Sequence, residues 1–84
     1  MNNSNSIVHV AYGIFDYAFK APQVKMLGAF AKPEDALACI QAKLDAAEAD
    51  SRLKVDRTMF SYRGLVDNDD ANVRLLVAEL PIAK

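Results

Sequence analysis

Four segments of this chain carry the apolar, β-branched and aromatic residues that are typical of β-strands. The predicted strands cover residues 7–19, 24–31, 54–66 and 72–80, and polar connections at 20–23 and 67–72 separate the two pairs. Gly13, near the middle of the longest segment, predicts a bulge or bend. Pro81 is expected to end the last strand because it has no amide hydrogen for the ladder.

Between the two strand pairs, the pattern changes from strand spacing to helix spacing. Pro33 suits the first helical position, and Glu34 and Asp35 place negative charge at the positive end of the helix dipole. Apolar residues then recur at spacings of three and four: Leu37, Ile40, Leu44 and Ala47. The helix is expected to end near residues 49–51. The predicted fold is therefore α+β: a four-stranded antiparallel sheet in ββαββ order, with one amphipathic helix packed on one face.

The predicted strands are more apolar than a single helix can cover. A sheet with one helix has one covered face and one face toward water, so its strands should alternate apolar and polar residues. The first strand instead has Val8, Val10 and Tyr12 on one side and Phe15 and Tyr17 on the other. We interpret this excess as a surface that docks against another protein chain. The alternative is that a bend such as the one at Gly13 swaps the two faces locally, so that all these residues form one core.

Length and composition limit the number of domains and the classes of function that are possible. At 84 residues the chain predicts one domain over residues 7–84, preceded by a disordered polar tail at 1–6. Its one cysteine excludes an internal disulfide, so oligomerisation is a natural source of added stability. A formal net charge of −1 disfavours a dedicated nucleic-acid binder. No apolar run is long enough to cross a membrane, and the N-terminus does not resemble a signal peptide, so we expect a cytoplasmic protein.

No group of residues has the spacing of a catalytic, cofactor or metal site. His9 is the only histidine, and Cys39 has no basic neighbour that would activate its thiol. The acidic segment 67–70 lacks the glycine and glutamate of a calcium loop. An enzyme built as a dimeric barrel would have only Asp16 and His9 as an acid/base pair. We therefore expect a protein that is not an enzyme and binds neither cofactor nor metal.

One segment offers a nucleic-acid signal. Residues 57–64 interleave arginines with aromatic residues, and aromatic rings on a sheet can stack single-stranded bases while arginines hold the phosphates. The segment does not match the pattern of an RNA-recognition motif, and the ββαββ order differs from that fold. A single-stranded nucleic-acid-binding sheet is thus the alternative function, disfavoured by the charge.

The run from Val10 to Leu44 combines a hairpin, the segment 27–30 and a helix opened by residues 33–36. In this it resembles small phage and prophage proteins, among them anti-CRISPR inhibitors of bacterial defence, which include α+β chains of similar size. The resemblance is architectural and covers about half of the chain. It implies a phage-encoded inhibitor that binds a defence or regulatory complex stoichiometrically in the host cytoplasm, and it assigns no residue.

We therefore predict a non-enzymatic interaction module that binds a protein partner through a sheet face or edge, as a homodimer. Aromatic residues and arginine dominate interface hot spots. On that basis the predicted partner-binding residues are Tyr12, Phe15, Tyr17, Phe19, Arg57, Phe60, Tyr62 and Arg63.

Overall fold

A computed structural model describes residues 6–82 of the chain. It contains β1 (Ser6–Tyr17), β2 (Gln23–Phe30), α1 (Pro33–Glu48), β3 (Leu53–Asp56), β4 (Ser61–Val66) and β5 (Asp69–Ile82). The strands form one antiparallel sheet in the order β2-β1-β5-β4-β3. The α+β class is confirmed, but the sheet has five strands in ββαβββ order rather than four. The predicted tail lies outside the described residues except for Ser6, which begins β1.

The extra strand arises because the predicted strand 54–66 is broken by a turn. The Asp56 carboxylate accepts hydrogen bonds from the Thr58 hydroxyl at 2.6 Å, the Thr58 amide at 3.1 Å and the Met59 amide at 3.3 Å. These bonds occupy amides that a strand would direct to its neighbours. Phe60 completes the turn with a φ of 51°. Met59 and Phe60 continue the strand-like composition of the sequence, but they lie in the β3–β4 turn.

The connection between β4 and β5 is shorter than the predicted loop at 67–72. Asp67 and Asn68 have φ values of 52° and 63°, and β5 begins at Asp69. Two consecutive residues with positive φ are the pattern of the tight hairpin turn that matches strand twist, and aspartate and asparagine tolerate it well. Most of the polar segment therefore belongs to β5, which also continues past Pro81 to Ile82.

The predicted irregularity at Gly13 is also misplaced. β1 pairs with β5 without interruption from Ser6 to Tyr17. The bulge lies in β2, where Ala11 pairs with Gly28 and Tyr12 pairs with Met26, so that Leu27 is the extra residue. Since β1 keeps a regular alternation, its two faces do not exchange, and the alternative of a bend that merges them into one core is wrong for β1. It holds locally in β2, where the bulge turns both Leu27 and Phe30 toward the core.

Helix α1 covers one face of the sheet and has the predicted start. Pro33 follows Lys32, whose side chain makes no capping bond, and acidic residues occupy the first turn. The buried helix positions are Ala36, Ile40, Leu44 and Ala47. Ile40 and Leu44 pack on strand residues to form the core, which also contains Ala11, Phe15, Tyr17, Ala71, Val73 and Leu75. The residues of β1 and β5 in this cluster all have odd numbers, so the even positions of these strands, including the buried Val10, face away from α1.

Candidate functional site: the open face of the sheet

The side of the sheet that faces away from α1 is called the open face here. Within residues 6–82, no helix or strand packs on it. Because side chains alternate along a strand, cross-strand pairing arranges the open face into rows. We describe it in two parts, an apolar half and a polar end.

The apolar half lies on β1, β2 and the C-terminal part of β5. Tyr12 pairs with Leu76 on one side and Met26 on the other. The neighbouring rows join Val10 with Ala78 and Ala29, and Val8 with Leu80. The residues at the margin of the apolar half are well exposed: the exposed fraction is 71% for Met26, 70% for Val24 and 51% for Leu80. A contiguous group of apolar side chains of this kind on a small protein usually marks a contact surface.

The centre of the apolar half is little exposed. Val10 is only 7% exposed, although nothing described covers it. Its two cross-strand neighbours are alanines, Ala78 and Ala29, while the rows on either side carry larger residues such as Tyr12 and Leu80. The larger side chains of the adjacent rows therefore shield Val10 within the open face itself.

The polar end lies where the strands β3 and β4 join the sheet. One row runs across four strands through Lys54, Arg63, Asn72 and Asp16. These residues line an open cleft of about 550 Å³. Arg52 also lines the cleft, but its guanidinium already contacts the Asp50 carboxylate at 2.8 Å. Among residues 6–82, no ion pair involves Lys54, Arg63 or Asp16, so their charges are available to a partner.

Two of the free sheet edges are poorly suited to adding another strand. β2 carries the bulge at Leu27, and its Lys25 turns inward to the Asp67 carboxylate at 3.1 Å. β3 is four residues long and presents Lys54 and Asp56. Bulges, inward charges and short charged strands are the features that natural sheets use against edge-to-edge pairing.

The remaining free edge is the part of β5 that extends beyond β4. The Leu75 amide donates to the Phe60 carbonyl oxygen at 2.9 Å, on the side away from β1. Amide directions alternate along a strand, so residue 81 faces the same side as Leu75. Pro81 stands there without a donor, and its ring obstructs an added strand. The β2 and β3 edges are therefore blunted, and Pro81 blocks the C-terminal end of the β5 edge, which favours the face as the contact surface.

The predicted partner-binding residues do not share one surface. Phe15 and Tyr17 are 7% and 6% exposed and belong to the core, and Tyr62 packs against it. In this fold, the rings of Phe15 and Tyr17 are therefore not presented to a partner. Tyr12 and Arg63 lie on the open face, in the apolar half and at the polar end.

The other three predicted residues lie on turns. Phe19 is 89% exposed in the β1–β2 connection, and Phe60 is 37% exposed in the β3–β4 turn. Arg57, in the same turn, binds helix α1 through Asp45 and Glu48, with 2.9 Å between its Nη2 and Glu48 Oε1. The hydrogen bond from Arg57 lowers the pKa of the Glu48 carboxyl. Arg57 thus joins the turn to the helix.

The basic and aromatic residues of the segment 57–64 are separated by the fold. Tyr62 faces α1, whereas Arg63 faces the open side, and Arg57 is engaged with the helix. A stacking surface for bases needs rings and cations on the same side. This segment therefore does not form the platform that the nucleic-acid alternative requires.

Sequence reasoning missed the aliphatic residues that dominate the apolar half, among them Met26, Leu76 and Leu80. The available signal was the alternation in residues 76–80 and 24–26, where apolar residues occupy the face opposite the core. Residue type singles out aromatic residues and arginines, but position on the sheet decides which side chain is accessible.

At the end of the sheet that holds the β4–β5 turn, the acidic turn has a structural role. Asp67 Oδ2 accepts hydrogen bonds from the Tyr17 hydroxyl at 2.6 Å and the Lys25 ammonium at 3.1 Å. Its carbonyl oxygen accepts a bond from Lys20 at 3.1 Å. The Asp69 carboxylate, 5% exposed, accepts the Phe19 amide at 3.2 Å. The turn therefore holds the β1–β2 connection against β5.

These contacts predict a pH dependence. The hydrogen bonds from Tyr17 and Lys25 lower the pKa of the Asp67 carboxyl below its ordinary value. A carboxyl with a lowered folded-state pKa contributes stability above its unfolded pKa, and this contribution is lost as the pH falls through the folded pKa. We expect Asp67→Asn to unfold at lower urea than wild type at pH 7, and the difference to shrink below about pH 4.

Urea unfolding followed by circular dichroism at pH 7 and pH 3 measures this effect. Asp70→Asn is the matched control, since Asp70 is exposed and forms no ion pair among residues 6–82. An Asp67→Asn midpoint that differs from wild type equally at both pH values would contradict the assignment.

His9 and Cys39 were also considered as chemical sites. His9 is 7% exposed, and its Nδ1 lies 3.8 Å from the Glu79 carboxylate without a hydrogen bond. Cys39 is half-buried against the core. Residues 6–82 contain no cluster of three or more metal-ligating side chains. In the same range, no helix has the length and apolar character needed to cross a membrane.

Comparison with known proteins gave no match to a family model, to a curated protein or to a solved structure.

Proposed function

We propose that this protein is a non-enzymatic interaction module whose open face binds another polypeptide chain. The observation that carries the proposal is the apolar half, which places Tyr12, Leu76 and Met26 in one row with no covering element among residues 6–82. Removal of apolar surface from water contributes about 25 cal/mol per Å², which is the driving force for such an association.

The blunted β2 and β3 edges favour binding through the face over strand addition at those edges. The polar end adds orientation, since Arg63 and Asp16 can pair with groups of a partner. The finer proposal, that the partner is a component of a bacterial defence or regulatory complex and that the chain inhibits it, is supported by the architectural resemblance alone.

A lysine in the apolar half tests the proposal. Met26→Lys places a charge in the central apolar row at a side chain that is 71% exposed, so the fold should be retained while the partner is lost. Met59→Lys is the matched control, because Met59 is 55% exposed but lies in the β3–β4 turn. Both variants and wild type are purified in tagged form from the organism that encodes the chain. Light scattering measures the molar mass of each complex, and mass spectrometry identifies its components.

The expected result is a stoichiometric complex, with a second copy or a different protein, that forms with wild type and Met59→Lys but not with Met26→Lys. The proposal fails if wild type is a monomer and every protein that copurifies with it also copurifies with Met26→Lys. A salt-sensitive shift of single-stranded DNA or RNA by wild type, removed by Met26→Lys, would instead support the nucleic-acid alternative.

A further inference from the structure

One stretch of β5 keeps its outer backbone groups unpaired. β4 pairs with β5 only over residues 69–74, and the last bond on that side joins the Leu75 amide to the Phe60 carbonyl oxygen at 2.9 Å. Because amide directions alternate along a strand, the N–H and C=O groups of Val77 and Glu79 also point away from β1. Within residues 6–82, no strand pairs with them. These amides and carbonyls are therefore available to a further strand.

Fixed boundaries set the length of this stretch, residues 76–80, which we call the open edge of β5. At one end, Phe60 occupies the place beside Leu75. At the other end, Pro81 has no amide hydrogen, and its ring obstructs a longer strand. An added segment therefore matches residues 76–80 one for one, and its main-chain hydrogen bonds are those to Val77 and Glu79.

The side chains along the open edge differ between the two faces of the sheet. Leu76, Ala78 and Leu80 lie on the open face, in the apolar half, whereas Val77 and Glu79 lie on the side of α1. The Glu79 side chain is 68% exposed, and its carboxylate lies 3.8 Å from His9 Nδ1 without a hydrogen bond. Residues directly opposite one another on paired strands share a face. An added strand is thus favoured if it carries apolar residues on the open face and a positive charge opposite Glu79.

A second copy of this chain cannot supply that strand from its own β5. In a two-fold antiparallel pairing centred on Ala78, Pro81 of one copy lies opposite Leu75 of the other, in the place that Phe60 occupies. A shift by one residue, centred on Glu79, sets two glutamates directly opposite each other, which is unfavourable. The β2 and β3 edges are blunted as described above. The occupant is therefore a segment of another protein.

We propose that the open edge of β5 binds an extended segment of a partner protein by antiparallel strand addition, with apolar residues of that segment on the open face and a basic residue opposite Glu79. In this mode of recognition, main-chain hydrogen bonds supply affinity and alternate side chains supply specificity. The proposal goes beyond the open-face contact, because it uses backbone groups of Val77 and Glu79 that the face does not present. Either contact can exist without the other.

Nuclear magnetic resonance titration of the full chain with a synthetic peptide tests the main-chain contact. The probe is acetyl-Val-Lys-Val-Thr-Val-amide, whose lysine lies opposite Glu79 and whose threonine lies opposite Val77 in the antiparallel register. The expected result is a chemical-shift change and slower hydrogen exchange at the Val77 and Glu79 amides. The matched control is the same peptide N-methylated at its lysine and threonine. It cannot donate the main-chain bonds and should bind at least about tenfold more weakly.

An exchange of charge tests the side-chain contact. Wild type is expected to bind the lysine peptide about fivefold more tightly than a peptide with glutamate at that position, because opposite charges on paired strands attract and like charges repel. Glu79→Lys should reverse this preference. Glu34→Lys is the control, since Glu34 is exposed on α1 and forms no ion pair among residues 6–82. It changes the net charge equally and should keep the wild-type preference, and circular dichroism checks that both variants fold.

The proposal is overturned if the peptide causes no shift at its highest soluble concentration, if the N-methylated peptide binds equally well, or if Glu79→Lys keeps the wild-type preference. These outcomes differ from failure of the proposed function. Met26 lies on β2, two strands away from β5, so Met26→Lys should bind the peptide like wild type. If Met26→Lys abolishes peptide binding, the peptide occupies the open face, and the strand-addition proposal falls while the open face remains a contact surface.

Discussion

Replacing Phe15 with alanine is expected to lower the free energy of unfolding by about 3–5 kcal/mol. Phe15 is 7% exposed and packs in the core below α1. Its ring lies over Gly13, since a Cβ at that position would stand 2.8 Å from Phe15 Cε1, and Lys25 Nζ lies 4.5 Å from the ring centroid. A chain of this size is stabilised by roughly 4–13 kcal/mol in total. The variant should therefore be close to unfolded, and urea denaturation followed by circular dichroism measures the loss.

Phe19→Ala is the matched control for this prediction. The same substitution four residues further along removes a ring that is 89% exposed, and it should change the free energy of unfolding by no more than about 0.5 kcal/mol. Both phenylalanines were predicted as partner contacts from sequence. Equal losses in the two variants would contradict the described burial of Phe15.

Replacing Gly64 with alanine is the second change with a large expected effect. Gly64 has a φ of 140°, a conformation that L-residues rarely adopt, and an added Cβ would overlap the backbone oxygen of Arg52. That oxygen belongs to the chain just before β3, so it cannot move without shifting the strand that pairs with Gly64. We expect a loss of about 3 kcal/mol or more in the free energy of unfolding.

Gly28→Ala separates backbone strain from simple crowding. A Cβ at Gly28 would lie 2.8 Å from two ring atoms of Phe30, but these are the far end of a side chain that can rotate. Gly28 is not among the glycines with positive φ. Its replacement should cost about 1 kcal/mol. Thermal unfolding of the two variants checks the difference, and a smaller loss at Gly64 than at Gly28 would refute the argument.

The helix and the class of the fold could be predicted because their signals are local. Pro33, the acidic first turn and the spacing of Ile40 and Leu44 specify an amphipathic helix within 16 residues. The break between β3 and β4 was missed. It depends on the Asp56 side chain capturing the amides of Thr58 and Met59, whereas the surrounding residues have strand-like composition.

The candidate site was predicted only in part. An excess of apolar residues on both sides of the strands indicated a second apolar face, and an uninterrupted β1 is consistent with that inference. The members of the face could not be chosen by residue type. Tyr12 and Arg63 lie on it, but Arg57 is bound to α1.

The sequence by itself determined the alternation of apolar positions, the place of the helix and the surplus of apolar side chains over what one helix can cover. Only the tertiary structure decided that Phe15 faces the core while Phe19 faces water, and that Arg63 shares a row with Asp16. The reason is that periodicity is a property of neighbouring residues along the chain, whereas the pairing of β1 with β5 joins residues that are 54 to 76 positions apart. That pairing, and the helix packed against one side, decide which face of each strand stays open.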